Sequence, residues 1–118
     1  MSKNDNPYRA LNKLFHEPNR LAIVSILSGM DDGITFSDLK QECGLTDGNL
    51  SRHLLSLQQG KMIRIKKTFV KSKPQTRISL TEKGRESFVH YLEALEQVLE
   101  KATESVAPIF QLKVQTER

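Results

Sequence analysis

The stretch Leu45–Gly60, LTDGNLSRHLLSLQQG, gathers the side chains of this chain best suited to recognition by hydrogen bonding. Arg52 offers a planar fork of donors that matches the paired acceptors of a guanine edge. Asn49 carries the donor and acceptor that match adenine. Thr46 and Ser51 add short hydroxyls which, with the backbone N–H groups of a helix start, suit phosphate oxygens. Covalent chemistry finds no comparable set: the sequence contains no nucleophile–base pair, carboxylate dyad or phosphate loop, and its one Cys and three His are widely separated. No enzyme activity, catalytic residue, cofactor or bound metal is therefore expected.

These side chains need a helix to present them. Thr46 is placed to cap one, its hydroxyl accepting an N–H of the first turn. Leu50, Leu54 and Leu57 recur at intervals of four and three, an apolar stripe that faces a core. At about 100° per residue, Arg52 points almost directly away from that stripe. Gly48, Asn49 and Ser56 lie on the outward side, Ser51 and His53 on opposite borders, and Gly60 closes the segment as a C-cap. His53 is open to two readings, a packed or capping histidine and a contact to a ligand on the outer face. Leu55 also points outward, without an assigned role, and Asp47 suits the helix dipole.

Charge is segregated along the chain. The net charge is +4, yet Lys61, Arg64, Lys66, Lys67, Lys71, Lys73 and Arg77 form a run without a single acid. The remaining residues hold more acids than bases. A basic stripe on an acidic body is the electrostatic footprint of a nucleic-acid binder. The run is also patterned as a hairpin. Met62–Lys66 alternates apolar and basic with Phe69-Val70 extending it, Lys71–Gln75 has turn chemistry, and Thr76–Leu80 alternates again.

Upstream, Asn6-Pro7 signals a helix start, with Leu11, Leu14 and Phe15 as its apolar face and His16 at its end. Pro18 reopens the chain into a second helix, Asn19 to about Gly29, apolar almost all round and so expected to be centrally buried. Asp31-Asp32-Gly33 is a turn and Ile34-Thr35-Phe36 a short extended piece. Ser37 is expected to cap a helix Asp38–Cys43 that Gly44 ends in a tight turn before Leu45. Cys43 sits among apolar positions and reads as a small buried hydrophobe.

Thr81-Glu82-Lys83-Gly84 opens a last long helix. Phe88, Leu92, Leu95, Leu99, Ala102 and Val106 follow at alternating intervals of four and three, the a/d seam of a heptad repeat, with acidic flanks. Such a seam can pack on its own domain. Because the earlier helices already supply a core, Phe88, Leu92, Leu95, Leu99 and Ala102 are expected to pair with a second copy. Pro108 is expected to end the helix, with His90 exposed.

The order helix, helix, helix, two strands, helix resembles winged helix-turn-helix regulators of the MarR/ArsR type. The matching stretches are LTDGNLSRHL at Leu45–Leu54, the basic hairpin Ile63–Arg77 and LTEKGR at Leu80–Arg85, with RLAIVSIL at Arg20–Leu27 a weaker match. The likeness runs from about Pro18 to Leu99. It implies a mainly α (α+β) fold, a winged helix-turn-helix with a two-stranded β wing and a long C-terminal dimerisation helix. It further implies a homodimer that binds double-stranded DNA and regulates transcription. Helix Thr46–Gln59 would then lie in the major groove, with Asn49, Ser51, Arg52 and His53 contacting bases and phosphates. Lys71, Lys73 and Arg77 would sit on the wing, at the backbone or minor groove. Metal-sensing members carry cysteine pairs or His/Asp clusters that this chain lacks.

Two other classes fit less well. A winged-helix protein–protein adapter has no need of the acid-free run, whereas a non-specific architectural DNA-binding protein is compatible with it. Whether a small-molecule effector binds between the wing domain and the last helix is left open by the sequence. At 118 residues the chain is expected to be one domain, with residues 7–80 as the DNA-binding region, 81–107 as the dimer helix and 108–118 as a tail. No run approaches the ~18 apolar residues of a membrane helix, and MSKNDNPYR has no signal-peptide core, so a cytoplasmic location is expected.

Overall fold

The computed structural model of the chain describes residues 7–116. A single 3-10 turn, Pro7–Ala10, precedes helix α1 (Pro18–Ser28), strand β1 (Ile34–Thr35), and helices α2 (Phe36–Cys43) and α3 (Asp47–Gln59). Strands β2 (Ile63–Val70) and β3 (Lys73–Leu80) lead into the long helix α4 (Glu82–Thr116). The sheet is antiparallel in the order β1-β3-β2, with Ile34 opposite Ile78 and Ile63 opposite Leu80. Phe15, Ile23, Leu27, Leu39, Leu50, Leu57, Ile78 and Tyr91 are fully buried and join every layer into one core. The expected mainly helical winged fold is thus present, with a short third strand added to the wing.

The first expected helix is not formed beyond the turn at Pro7–Ala10, and its cap Asn6 lies outside the described residues. The reason is local. The Asn12 side chain accepts from the Leu14 N–H at 2.9 Å, and its carbonyl from Phe15 N–H at 3.0 Å, a turn that competes with helix. Phe15 reaches the core from this turn all the same. Helix α1 then starts with Pro18 at its first position and Glu17 as cap. Its burial is one-sided: Ile23, Val24 and Leu27 face inward while Ala22 and Ser25 are exposed, so the expectation of all-round burial fails. Only one side of α1 is covered by the other elements.

Helix α2 is capped by Thr35, not Ser37, since the Thr35 hydroxyl accepts from Asp38 N–H at 3.1 Å. Thr35 is already extended in β1, the backbone state an N-cap requires. Gly44 ends α2 in the left-handed region at φ 63°, which lets the chain turn directly into α3. Cys43 is half-buried against the core; burial, with Glu42 nearby, pushes its thiol up and keeps it protonated.

The hairpin turn is tighter than expected, only Lys71 and Ser72, at φ 53° and 66°. Two positive φ values match the twist of the flanking strands, and they place Lys73-Pro74-Gln75 inside β3. At the other end Thr81 locks three elements together. Its hydroxyl donates to the Lys61 carbonyl at 2.7 Å and accepts from Gly84 N–H at 2.9 Å, while its N–H donates to the Met62 carbonyl at 3.0 Å. Gly84 packs so closely on Met62 that a Cβ there would collide with the Met62 carbonyl. Arg85 reaches across to the Ser28 carbonyl at the end of α1, at 3.2 Å. This accounts for the LTEKGR stretch: it fastens the start of α4 to the base of the wing.

Helix α4 does not stop at Pro108 but runs through it to Thr116, so no separate tail begins there. A proline removes its own N–H and crowds the preceding turn without preventing later residues from continuing the helix. Among the described residues, no helix is long and apolar enough to cross a membrane.

Candidate nucleic-acid interface

Helix α3 is held from behind and capped in front. Leu50, Leu54 and Leu57 are buried, and the Thr46 hydroxyl accepts from Asn49 N–H at 3.2 Å. Lys40 of α2 pairs with Asp47 at 2.9 Å across the helix–turn–helix, an exposed contact of small energetic weight. Thr46, Asp47, Gly48, Asn49, Ser51, Arg52 and Leu55 remain outward and exposed, as do Gln58 and Gln59 near its end. The outer face expected from periodicity is therefore assembled on one surface.

Two of its members are already joined. Arg52 donates through Nη2 to Asn49 Oδ1 at 2.9 Å. An arginine has donors only, so the Asn49 oxygen must face it and the Asn49 NH2 must point away. The pair accordingly presents mostly donors to whatever approaches α3, with one lone pair left on the Asn49 oxygen.

His53 leaves the expected recognition set. It is 6% exposed and its Nδ1 lies 3.3 Å from Arg20 Nη1. Because the guanidinium can only donate, a hydrogen bond in this arrangement has Nδ1 as its acceptor. The nearby Glu17 carboxylate, 3.9 Å from the same nitrogen, is beyond hydrogen-bond reach. Arg20 is itself anchored by donating Nε–H to the Leu14 carbonyl at 2.7 Å. Glu17 accepts from Arg20 backbone N–H at 2.8 Å, and that bond above all holds its carboxyl below the usual range against the opposing effect of burial. Glu17, Arg20 and His53 thus form a brace behind α3. Periodicity placed His53 on the border of the apolar stripe, and only the arrival of Arg20 from α1 assigns it inward.

The wing divides in the same way. Lys71 and Lys73 are exposed near its tip, with Lys66 and Lys67, also exposed, farther down β2 opposite Arg77 and Thr76. Arg77 is not on the tip. It is half-buried and donates Nη1–H to the carbonyls of Asp32 and Gly33 at 3.2 and 3.1 Å, tying the β1 turn to β3. Its charge is used to hold the sheet. Lys66 and Lys67 are basic groups of the acid-free run that the sequence reading did not single out, although strand alternation shows that they occupy opposite faces.

Along α4, the first expected pairing residue is also taken. Phe88 is buried, its ring 5.6 Å edge-on from Phe15 and 6.1 Å from Tyr91. Tyr91, which the seam passes over, is fully buried, and its hydroxyl lies 2.8 Å from His16 Nδ1. Leu95 is half-buried against the core, whereas Leu92, Leu99, Ala102 and Val106 are exposed. Among the described residues, no three His, Cys, Asp or Glu stand close enough to hold a metal.

The family model of the winged helix DNA-binding domain matches residues 19–99. An uncharacterized protein of Methanocaldococcus jannaschii is 36% identical over 80 residues, 68% of this chain and 86% of that protein. A transcriptional regulator homologue from Pyrococcus horikoshii OT3 superposes with a TM-score of 0.75 at 23% identity, covering 83% of this chain and 97% of its own. The MepR–DNA complex of S. aureus gives 0.69 at 16% identity, over 98% and 91%. The M. tuberculosis regulator MOSR in complex with DNA gives 0.62 at 21%, over 95% and 81%.

Proposed function

The chain belongs to the winged helix DNA-binding domain family, and from that premise we propose that it is a sequence-specific, homodimeric regulator of transcription acting on double-stranded DNA. The observation that carries this reading is the two-sidedness of α3 beside the wing. Its inner face is sealed into the core, and its outer face presents Asn49, Ser51 and Arg52 next to exposed Lys66, Lys67, Lys71 and Lys73.

In this reading α3 enters the major groove. The pair presents the Asn49 NH2 and the remaining Arg52 N–H groups, a donor-rich edge that suits the N7 and O6 acceptors of guanine. Ser51, Thr46 and the first N–H groups of α3 set the phosphate register. Lys71 and Lys73 carry sequence-independent attraction at the adjacent backbone or minor groove. Arg77 and His53 act indirectly, through the sheet and through the brace behind α3.

Two copies pair through the exposed apolar line on α4, Leu92, Leu99, Ala102 and Val106. Two-fold symmetry then calls for half-sites roughly 34–36 Å apart. The three-dimensional likeness to solved regulator–DNA complexes supports the assignment at the level of the fold.

Selection of bound sequences from random duplex DNA tests this directly. A guanine-containing pseudo-palindrome is the expected product, and Arg52→Ala relaxes selection at one base pair per half-site at a cost of about 1–3 kcal/mol. Enrichment of nothing, with binding fully competed by random DNA, would assign the chain to non-specific packing instead.

A further inference from the structure

Phe69 is the most exposed large apolar side chain of the molecule's described part, at 77%. It stands on the wing, directly opposite Pro74 in the β2–β3 ladder. Strand alternation puts Ile63, Ile65, Lys67 and Phe69 on one face of β2, with Leu80, Ile78, Thr76 and Pro74 across from them. At the body end this face is core: Ile63, Ile78 and Leu80 are buried and Ile65 is half-buried. Beyond the polar Lys67–Thr76 pair, the same face carries Phe69 and Pro74. Phe69 lies four residues beyond Ile65, roughly 13 Å at the strand rise of about 3.3 Å, too far out for the core to cover it.

From this we infer that Phe69, backed by Pro74, is an apolar wedge that the wing inserts into the minor groove at the edge of each half-site, partly unstacking one base step. The inference rests on the duplex-DNA reading above. The occupant follows from charge. Lys67 shares the face of Phe69 and Lys71 follows at the turn, and no acid occurs between Lys61 and Arg77, so the ring is delivered to a polyanion. Access follows from exposure, because the Phe69 ring is open to solvent one residue before the end of β2. Presentation is rigid: the two-residue turn at Lys71-Ser72 closes a fully paired ladder, and proline presets its own φ. Insertion of an apolar side chain between base pairs kinks the duplex and is least costly at pyrimidine–purine steps. Phe69 would therefore impose a preference for such a step at a position that α3 does not touch.

The test uses the full chain and a selected duplex of about 30 base pairs with 2-aminopurine at the pyrimidine–purine steps flanking each half-site. Binding of the intact chain raises 2-aminopurine fluorescence. Phe69→Ala abolishes that rise and weakens binding about tenfold, the scale of one lost aromatic–base contact, with the salt slope unchanged. Lys73→Ala does the reverse, lowering the slope by about one while keeping the fluorescence rise. Equal affinity and equal fluorescence for Phe69→Ala and the intact chain overturn the wedge and leave the DNA reading standing. A change in solution mass on Phe69→Ala without DNA also overturns it, by assigning the ring to a contact between copies. If the intact chain enriches no duplex, the functional reading itself has failed and the wedge falls with it.

Discussion

Helix α4 carries one continuous heptad pattern, yet its two halves lead different lives. Through Leu95 it is part of the body: Phe88, Tyr91 and Ala94 are buried, and the rings of Phe88 and Tyr91 pack with Phe15 from the N-terminal turn. Beyond, Leu99, Ala102 and Val106 are exposed. A repeat of seven places Leu92, Leu99 and Val106 on one line of the helix, and that line is rotated away from the face centred on Tyr91. Periodicity specifies that a stripe exists. It does not specify what covers the stripe, and in the first half the cover came from a phenylalanine some seventy positions away in the chain.

The largest effect expected from this contrast is on stability. Phe88→Ala empties a packed aromatic site and is expected to cost about 3–5 kcal/mol in urea unfolding. A loss below 1 kcal/mol would mean that the first half is as loosely held as the second. Next in size is an assembly change. Leu99→Glu places a charge on the exposed line and is expected to yield monomers by light scattering with unchanged helical circular dichroism. A dimer of undiminished mass would remove this line as the pairing surface.

Tyr91→Phe probes the same packed half more gently. It removes the hydroxyl contact to His16 at 2.8 Å and is expected to cost about 1 kcal/mol at neutral pH. It also changes the alkaline limb of stability. Burial raises the Tyr91 phenol above its ordinary value of 10.0, so its contribution is complete below that pH and is lost as pH rises through the raised value. The variant should lose that part of the decline, and an identical alkaline profile would show that the ring does not ionise with unfolding.

Glu17 gives the acid counterpart at the brace behind α3. Its carboxyl is held below 4.5, chiefly by the Arg20 N–H, so its contribution is present above 4.5 and disappears as pH falls through the lowered value. Glu17→Gln should flatten stability in that acid window. Smallest of all, Thr103→Ala on the outer half of α4 is expected to stay within about 0.5 kcal/mol of the parent chain.

Much of the candidate interface was legible because its determinants are local. Thr46, the Leu50–Leu54–Leu57 spacing and Gly60 define α3 within sixteen residues, and the charge of the hairpin needs no fold to be counted. Residues at the boundary of a pattern were not legible. His53 sits on the edge of the stripe, where a side chain can turn either way, and the decision came from Arg20. Arg77 belongs to the basic run but meets the carbonyls of Asp32 and Gly33, because β1 pairs with β3. Lys71 and Lys73 stay exposed near the tip of the wing. Near the N-terminus, the side chain of Asn12 defeated a helix that spacing alone favoured.

The chain's sequence by itself determined the short-range terms: which segments alternate or repeat, where helices α2 and α3 begin and end to within a residue or two, and which stretch carries positive charge. These depend on interactions within a few residues, so a linear reading suffices. Only the tertiary structure decided which apolar line is core and which is surface, which arginine stays exposed and which is bound to carbonyls, and that Phe69 is left open to solvent. Those outcomes depend on groups brought together across tens of residues, and no local pattern contains them.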